Sequence, residues 1–282
     1  MKVSVREPLH MFSNVIRATF ISIPLIFSLS ANAKVKLNGD ISQGGLIVGQ
    51  TEQGASVYLN DKELKVSKDG YFAFGFGRDD KSNYQLRVVN SEGVEEIKTM
   101  TPKAREYKIQ RVNGIKKSIM NPNPKAVARA KKDSSQVKAA RAISSDNTYF
   151  AQGFNAPMAG AITGVYGSQR IYNGVPKTPH YGLDYAGKKG DPVKAPASGI
   201  VTLNVPDMFY SGGTLIIDHG HGVTSTFLHL SDSYVKVGDT VNQGDVVAAV
   251  GSTGRSTGPH LDWRINWYQT RLDPALALKL LK

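Results

Sequence analysis

Apolar and polar positions alternate with a period of two along most of the chain, in short runs separated by turn residues. Ala55-Ser56-Val57-Tyr58-Leu59 alternates and is followed by the turn pair Asn60-Asp61. Lys68-Asp69-Gly70 is a second turn signal, after which Tyr71-Phe72-Ala73-Phe74-Gly75-Phe76 alternates strongly. Tyr84-Gln85-Leu86-Arg87-Val88-Val89 and Tyr107-Lys108-Ile109-Gln110 extend the pattern. Short strands between turns predict a small β-sandwich-like domain over 34–112, of immunoglobulin-like size. It contains no catalytic constellation, so a binding or spacing module is its default role. A second β region is predicted over 150–282, with strands at Gly199–Leu203, Thr214–Asp218, Val223–His229, Val246–Val250 and His260–Trp267. Val237-Gly238-Asp239-Thr240-Val241 and Gln243-Gly244-Asp245-Val246-Val247 form a near-repeat that reads as a strand-turn-strand device.

Two segments break the alternation. Residues 1–33 read as a secretory signal: Lys2, Arg6 and Arg17 supply the positive start, Ala18 to Ser30 the short apolar core, and Ala31-Asn32-Ala33 the small-x-small cleavage site. The apolar core is about 13 residues against the roughly 20 that span a bilayer, which favours cleavage over an anchor. The mature chain then begins at Lys34, carries no transmembrane segment, and works across the inner membrane in the periplasm or cell envelope. Residues 113–149 form the other break. Asn121-Pro122-Asn123-Pro124 is a breaker cluster, and Lys125 to Ala142 is rich in Ala, Lys and Arg with little apolar periodicity. This predicts a basic, partly helical, solvated linker.

Charge changes the picture only locally. The formal net charge of the 282 residues is +12. Residues 100–142 alone hold twelve basic and two acidic side chains. That segment is a candidate tether to an anionic envelope surface, an attraction that salt would weaken. Nothing else in the chain supports nucleic-acid binding. Cysteine is absent, which excludes disulfides, thiolate zinc ligands and a cysteine nucleophile.

Five of the six histidines, 180, 219, 221, 229 and 260, fall in the second β region. In His180-Tyr181-Gly182-Leu183-Asp184, the end residues of an extended strand would lie about 13 Å apart. To share one metal ion the backbone must bend, and Gly182 makes a bend easy. In His260-Leu261-Asp262 the outer two residues share a strand face and Leu261 points into the core. His229 ends a run in which Val223, Ser225, Phe227 and His229 are expected on one face. His219 and His221 flank Gly220 and read as turn or surface histidines. Residues 143–282 contain no Glu, so a helix-borne H-E-x-x-H site is excluded.

Taken together, His180-x-x-x-Asp184, Ala195-Pro196-Ala197-Ser198-Gly199, Ile217-Asp218-His219-Gly220, Leu228-His229-Leu230-Ser231 and Gly254-x-x-x-Gly258-Pro259-His260-Leu261-Asp262 resemble the LytM-type zinc peptidases of the M23 (lysostaphin-like) family. Gln43-Gly44-Gly45 and Gly75-Phe76-Gly77-Arg78-Asp79 also look like the N-terminal region of some Gram-negative envelope members. The resemblance implies an all-β chain whose C-terminal domain is an antiparallel β-sheet groove enzyme cutting peptide cross-links of peptidoglycan. It implies His180, Asp184 and the residue at 262 as zinc ligands. His229 and His260 become the histidines that orient water and stabilise the oxyanion.

One departure stands out: the family usually has His where this chain has Asp262. Aspartate can ligate zinc, but a second carboxylate brings the formal charge of zinc plus ligands to zero, which weakens the Lewis acid. Two readings follow: an active His-Asp-Asp site, or a catalytically weakened LytM-like module that binds cell wall or activates a partner amidase. A biotinyl- or lipoyl-like carrier, suggested by the near-repeat, would need a lysine at the hairpin tip, where Asn242 stands.

Overall fold

In the computed structural model, residues 1, 3, 4, 35–113 and 123–280 are described. The signal segment expected at 1–33 falls outside them apart from Met1, Val3 and Ser4, and the described residues from 35 onward belong to one compact unit. Among the described residues, no helix is long and apolar enough to cross a membrane.

The chain is built almost entirely of antiparallel strands. The first β region is two facing sheets. One has the order Lys36–Asn38, Leu46–Gln50, Tyr71–Gly75; the other has the order Lys62–Leu64, Ser56–Leu59, Tyr84–Val89, Glu95–Met100. The alternation read from the sequence puts Val57, Leu59, Leu86 and Val88 inside, against Phe72, Phe74 and Phe76, all buried. The turn at Asn60 uses a left-handed residue, φ 52°, which asparagine tolerates well.

The second β region is built on an eight-stranded antiparallel sheet, with Pro192–Lys194, Val246–Ala249 and Asp232–Ser233 in a separate three-stranded sheet. The order of the larger sheet is Thr240–Val241, Gly199–Met208, Gly212–Asp218, Val223–Leu230, His260–Trp267, Leu183–Ala186, Ile162–Gly164, with Thr270–Leu272 also paired to His260–Trp267. One face packs on Leu215, Ile217, Phe227, Leu261, Trp263 and Ile265, which join the aromatic core of the first region in one buried cluster. The near-repeat is a turn device: in both copies the Gly-Asp aspartate carboxylate accepts the amide three residues back, Asp239 from Lys236 at 2.9 Å and Asp245 from Asn242 at 2.7 Å. Lys188–Asp191 repeats it once more at 2.7 Å.

The two β regions are tied together by charge, stacking and backbone pairing. Ile109–Val112 pairs in parallel with Gln169–Tyr172. Asp273 takes an ion pair from Arg105 at 2.8 Å, and its amide donates to the Gly44 carbonyl at 2.7 Å. Arg78 donates to the Gly167 carbonyl at 2.8 Å while Tyr107 packs on Tyr166. These contacts brace the 165–182 segment that carries His180.

The basic segment is helical over Pro124–Ala142, capped by the Asn123 side chain. Its last turns dock rather than standing free in solvent: Val137 and Ala140 pack on Leu203, Met208 and Ile216, and Arg141 is buried, donating to Thr226 Oγ1 at 3.0 Å. Two small apolar residues are enough to seat the helix, too few to register as periodicity. Ile216, Thr226 and Arg264 lie opposite one another on adjacent strands. The helix therefore lies on the sheet face that does not carry the main core.

Candidate metal and catalytic site

That same face holds the candidate site. Asp184 and Asp262 are directly opposite residues of the antiparallel strands Leu183–Ala186 and His260–Trp267. Alternation in His260–Trp267 sends Leu261 into the core and keeps His260, Asp262 and Arg264 on the open face, with Leu261 fully buried. His180 sits ahead of the Leu183–Ala186 strand, and the chain bends at Gly182 between them. Its Nε2 is 3.0 Å from Asp184 Oδ1 and 3.5 Å from Asp262 Oδ2. Glycine is required here for a second reason: a Cβ at Gly182 would collide with Asp262 Oδ1, and one at Gly164 with Asp184 Oδ2. Both carboxylates occupy space that two missing side chains leave open.

The donor set fits a zinc ion. One ligand atom from each of His180, Asp184 and Asp262 lies within 4.8 Å of the others. Four ligands at zinc–nitrogen and zinc–oxygen distances in a tetrahedron are separated by about 3.3 Å, and the 3.0 and 3.5 Å separations bracket that value. Asp184 Oδ1 is buried and has no hydrogen-bond partner of good geometry, an arrangement that costs free energy unless a cation satisfies it. His180 Nδ1 lies 3.3 Å from the Val165 carbonyl, so Nδ1 carries the proton and Nε2 faces the carboxylates.

The electrostatics agree. Burial lowers the His180 pKa, but the two carboxylates outweigh it and push the imidazole up to about 10. A cation is thus favoured between Asp184 and Asp262, and a proton on His180 occupies that role when no metal does. Burial also opposes ionisation of Asp262, yet Arg264 and His180 hold it well below the usual carboxylate range.

His229 and His260 stand together, with ring centroids 4.8 Å apart. His260 Nδ1 donates to the Gly258 carbonyl at 2.8 Å, and His229 Nδ1 donates to the Thr253 carbonyl at 2.8 Å. A carbonyl only accepts, so in both rings Nδ1 carries a proton, and in the neutral ring Nε2 is the atom that keeps a lone pair. Burial lowers the His229 pKa, which keeps that lone pair available at neutral pH.

His229 departs from the face that simple alternation assigns it. Phe227 points into the core, but His229 adopts φ 65° and the register with Gly212–Asp218 shifts between Gly213 and Leu215. The extra residue forms a β-bulge that re-aims the side chain toward His260. A left-handed, non-glycine residue is strained, and such strain gathers where geometry matters for function.

His219 and His221 are not surface residues. They are in the turn between Gly212–Asp218 and Val223–Leu230, but both are buried. His219 Nδ1 donates to the Ser198 carbonyl at 2.7 Å and Nε2 accepts from Ser225 Oγ at 2.8 Å. Ser225 in turn accepts from Trp263 Nε1. Burial pushes the His219 pKa down to about 4, so it is a neutral structural link. Arg264 is the site residue that motif reading missed. Its position two residues beyond Asp262, on the same strand face, was the available signal.

The model of the family described as Peptidase family M23 matches residues 178–274, the stretch that carries His180, Asp184, His229, His260 and Asp262. The match covers 97 of the 282 residues and is confined to the C-terminal β region. A crystal structure from Pseudomonas aeruginosa described as a peptidase M23 shares the fold at TM-score 0.63 and 27 % identity, covering 85 % of this chain and 95 % of that one. The chain is 44 % identical over 89 residues to the DD-carboxypeptidase/endopeptidase Mpg of Neisseria meningitidis, covering 31 % of this chain and 20 % of that protein. It is 40 % identical over 89 residues to the peptidoglycan DD-endopeptidase ShyA of Vibrio cholerae, again 31 % and 20 %. The match therefore spans about a fifth of the length of these relatives.

Proposed function

We propose that this protein is a secreted zinc metallo-endopeptidase that hydrolyses peptide cross-links of peptidoglycan in the cell envelope. The observation that carries the reading is the convergence of His180, Asp184 and Asp262 beside two histidines whose Nε2 atoms are free. The similarity to relatives named as peptidoglycan DD-endopeptidases supports the substrate class.

His180 Nε2 and one oxygen from each aspartate would hold the zinc. When bound, zinc lowers the pKa of water and polarises the scissile carbonyl. The Val165 carbonyl fixes the tautomer of His180, and the strand pairing of Asp184 with Asp262 fixes the spacing of the carboxylates. The Nε2 lone pair of His229 or His260 would take a proton from the attacking water; the imidazolium so formed would donate toward the carbonyl oxygen as charge develops on it and then return the proton to the leaving amine. Their Nδ1–carbonyl bonds keep both rings oriented without solvent rearrangement. The exposed basic residues of Pro124–Ala142 suit an anionic envelope surface.

Purified peptidoglycan incubated with the full chain, with zinc or with a chelator, and analysed by mass spectrometry, tests the reading. Zinc-dependent opening of peptide cross-links, lost in His260→Ala, is the expected result. A folded, zinc-loaded chain that releases no new ends would transfer the assignment to a module that binds cell wall or activates a partner amidase, the reading Asp262 raises.

A further inference from the structure

Asp262 does not act alone. Arg264, two residues along the same strand face, closes a fork on it: Nε is 2.9 Å from Oδ1 and 3.1 Å from Oδ2, and Nη2 is 2.5 Å from Oδ2. The Asp262 side chain is 2 % exposed and that of Arg264 22 %, so the pair is shielded from solvent. A bidentate guanidinium is the strongest ion-pair geometry a carboxylate accepts. Asp262 still has lone pairs to spare, because a carboxylate offers about four acceptor positions.

Consider the formal charge. A divalent cation with Asp184 as its single anionic ligand and neutral histidines elsewhere leaves a centre of +1. A second aspartate lowers that to zero. The guanidinium of Arg264, held on Asp262, returns it to +1. Asp262 and Arg264 together are therefore equivalent in charge to one neutral ligand. We propose that Arg264 is a positioning residue that orients the Asp262 carboxylate and cancels its charge, so that the pair functions as a single neutral ligand unit. The inference rests on the zinc reading above, and it resolves the reason for expecting a weakened centre: the carboxylate that weakens a Lewis acid is neutralised by its own strand neighbour.

The claim makes the two residues energetically inseparable. Asp262→His by itself leaves the Arg264 cation facing the metal without a partner, raising the local charge to +2. It should weaken zinc binding at least tenfold, although histidine is a good zinc ligand. Adding Arg264→Gln removes the extra charge and should recover most of that loss. Adding Arg264→Lys keeps the charge and should not.

The test is a double-mutant cycle on the full chain, read as zinc affinity by competition with a chromophoric chelator, with folding checked by circular dichroism. Weak binding by Asp262→His, rescue by Arg264→Gln and no rescue by Arg264→Lys support the proposal. Additive effects, or equal rescue by Gln and Lys, overturn it, because a merely structural arginine gives no charge-dependent coupling. If Asp262→His does not fold, the wild-type Asp262 background remains informative. There the charge argument ranks Arg264→Gln above Arg264→Lys in zinc affinity, and the reverse order overturns it. Failure of the unaltered chain to bind zinc at all is a different outcome, which removes the metallopeptidase reading itself.

Discussion

Asp184 and Asp262 face each other across an antiparallel strand pair, a placement that sheets ordinarily avoid because like charges directly opposite repel. Here His180 bridges them at 3.0 and 3.5 Å and Arg264 clamps one of them. The sheet holds two carboxylates in a geometry that a divalent cation completes.

Zinc should accordingly stabilise the fold. At a free concentration about 100 times its dissociation constant, a ligand specific for the native state adds about 2.7 kcal/mol. For a unit of this size that is a rise of roughly 5–10 °C in the melting temperature. Differential scanning with and without chelator measures it. Asp184→Asn should abolish the zinc-dependent rise and lower the melting temperature of the metal-free protein, since the protonated His180 loses one of its two carboxylate partners.

His260→Ala should lower turnover by about 10²–10⁴, the range for a removed acid–base group, while leaving zinc stoichiometry unchanged. Metal analysis beside the cleavage assay separates the two effects. Loss of zinc in this variant would place His260 among the ligands instead.

The bulge at His229 gives a backbone prediction. His229→Ala and His229→Gly both lose the imidazole and should be comparably inactive. At φ 65°, however, alanine keeps the steric strain that glycine relieves, so the glycine variant should be the more stable by about 1 kcal/mol. Chemical denaturation of the two variants compares them directly. Equal stability would mean that the left-handed conformation is not retained in solution.

Much of this site was legible before any coordinates. Period-two alternation located Tyr84–Val89 and His260–Trp267 at their observed bounds, because strands half-buried on a sheet must alternate. His180, Asp184 and Asp262 were joined as a set by the resemblance to the M23 family, since the spacing of each motif alone left other readings open. What escaped depends on relations between strands. The face of His229 is set by a register shift against Gly213 and Leu215, which no single strand reveals. The burial of His219 depends on Ser198, distant in sequence. The docking of Pro124–Ala142 depends on Val137 and Ala140 meeting Leu203, Met208 and Ile216, a contact whose other half lies in the sheet.

His219 also gives a pH dependence. Its folded-state pKa of about 4 lies below the ordinary 6.5, so the unfolded chain binds the proton first as pH falls. The stability contributed by neutral His219 is complete above about pH 6.5 and declines between there and about pH 4, by at most about 3 kcal/mol. His219→Gln, whose amide can still donate and accept, should be less stable than the unaltered chain at pH 7.5. The gap between them should narrow by pH 4.5. A gap that stays constant over that range would contradict a neutral, buried His219.

The central claim is that a zinc ion held by His180, Asp184 and Asp262 drives hydrolysis of peptidoglycan cross-links. The most direct measurement is the initial rate of cross-link opening by the metal-stripped full chain as zinc is added back in substoichiometric steps. The rate should rise in proportion to zinc and level off at about one ion per chain, with His180→Ala flat throughout. A rate that ignores zinc, or a His180→Ala chain that follows the same curve, would contradict the account.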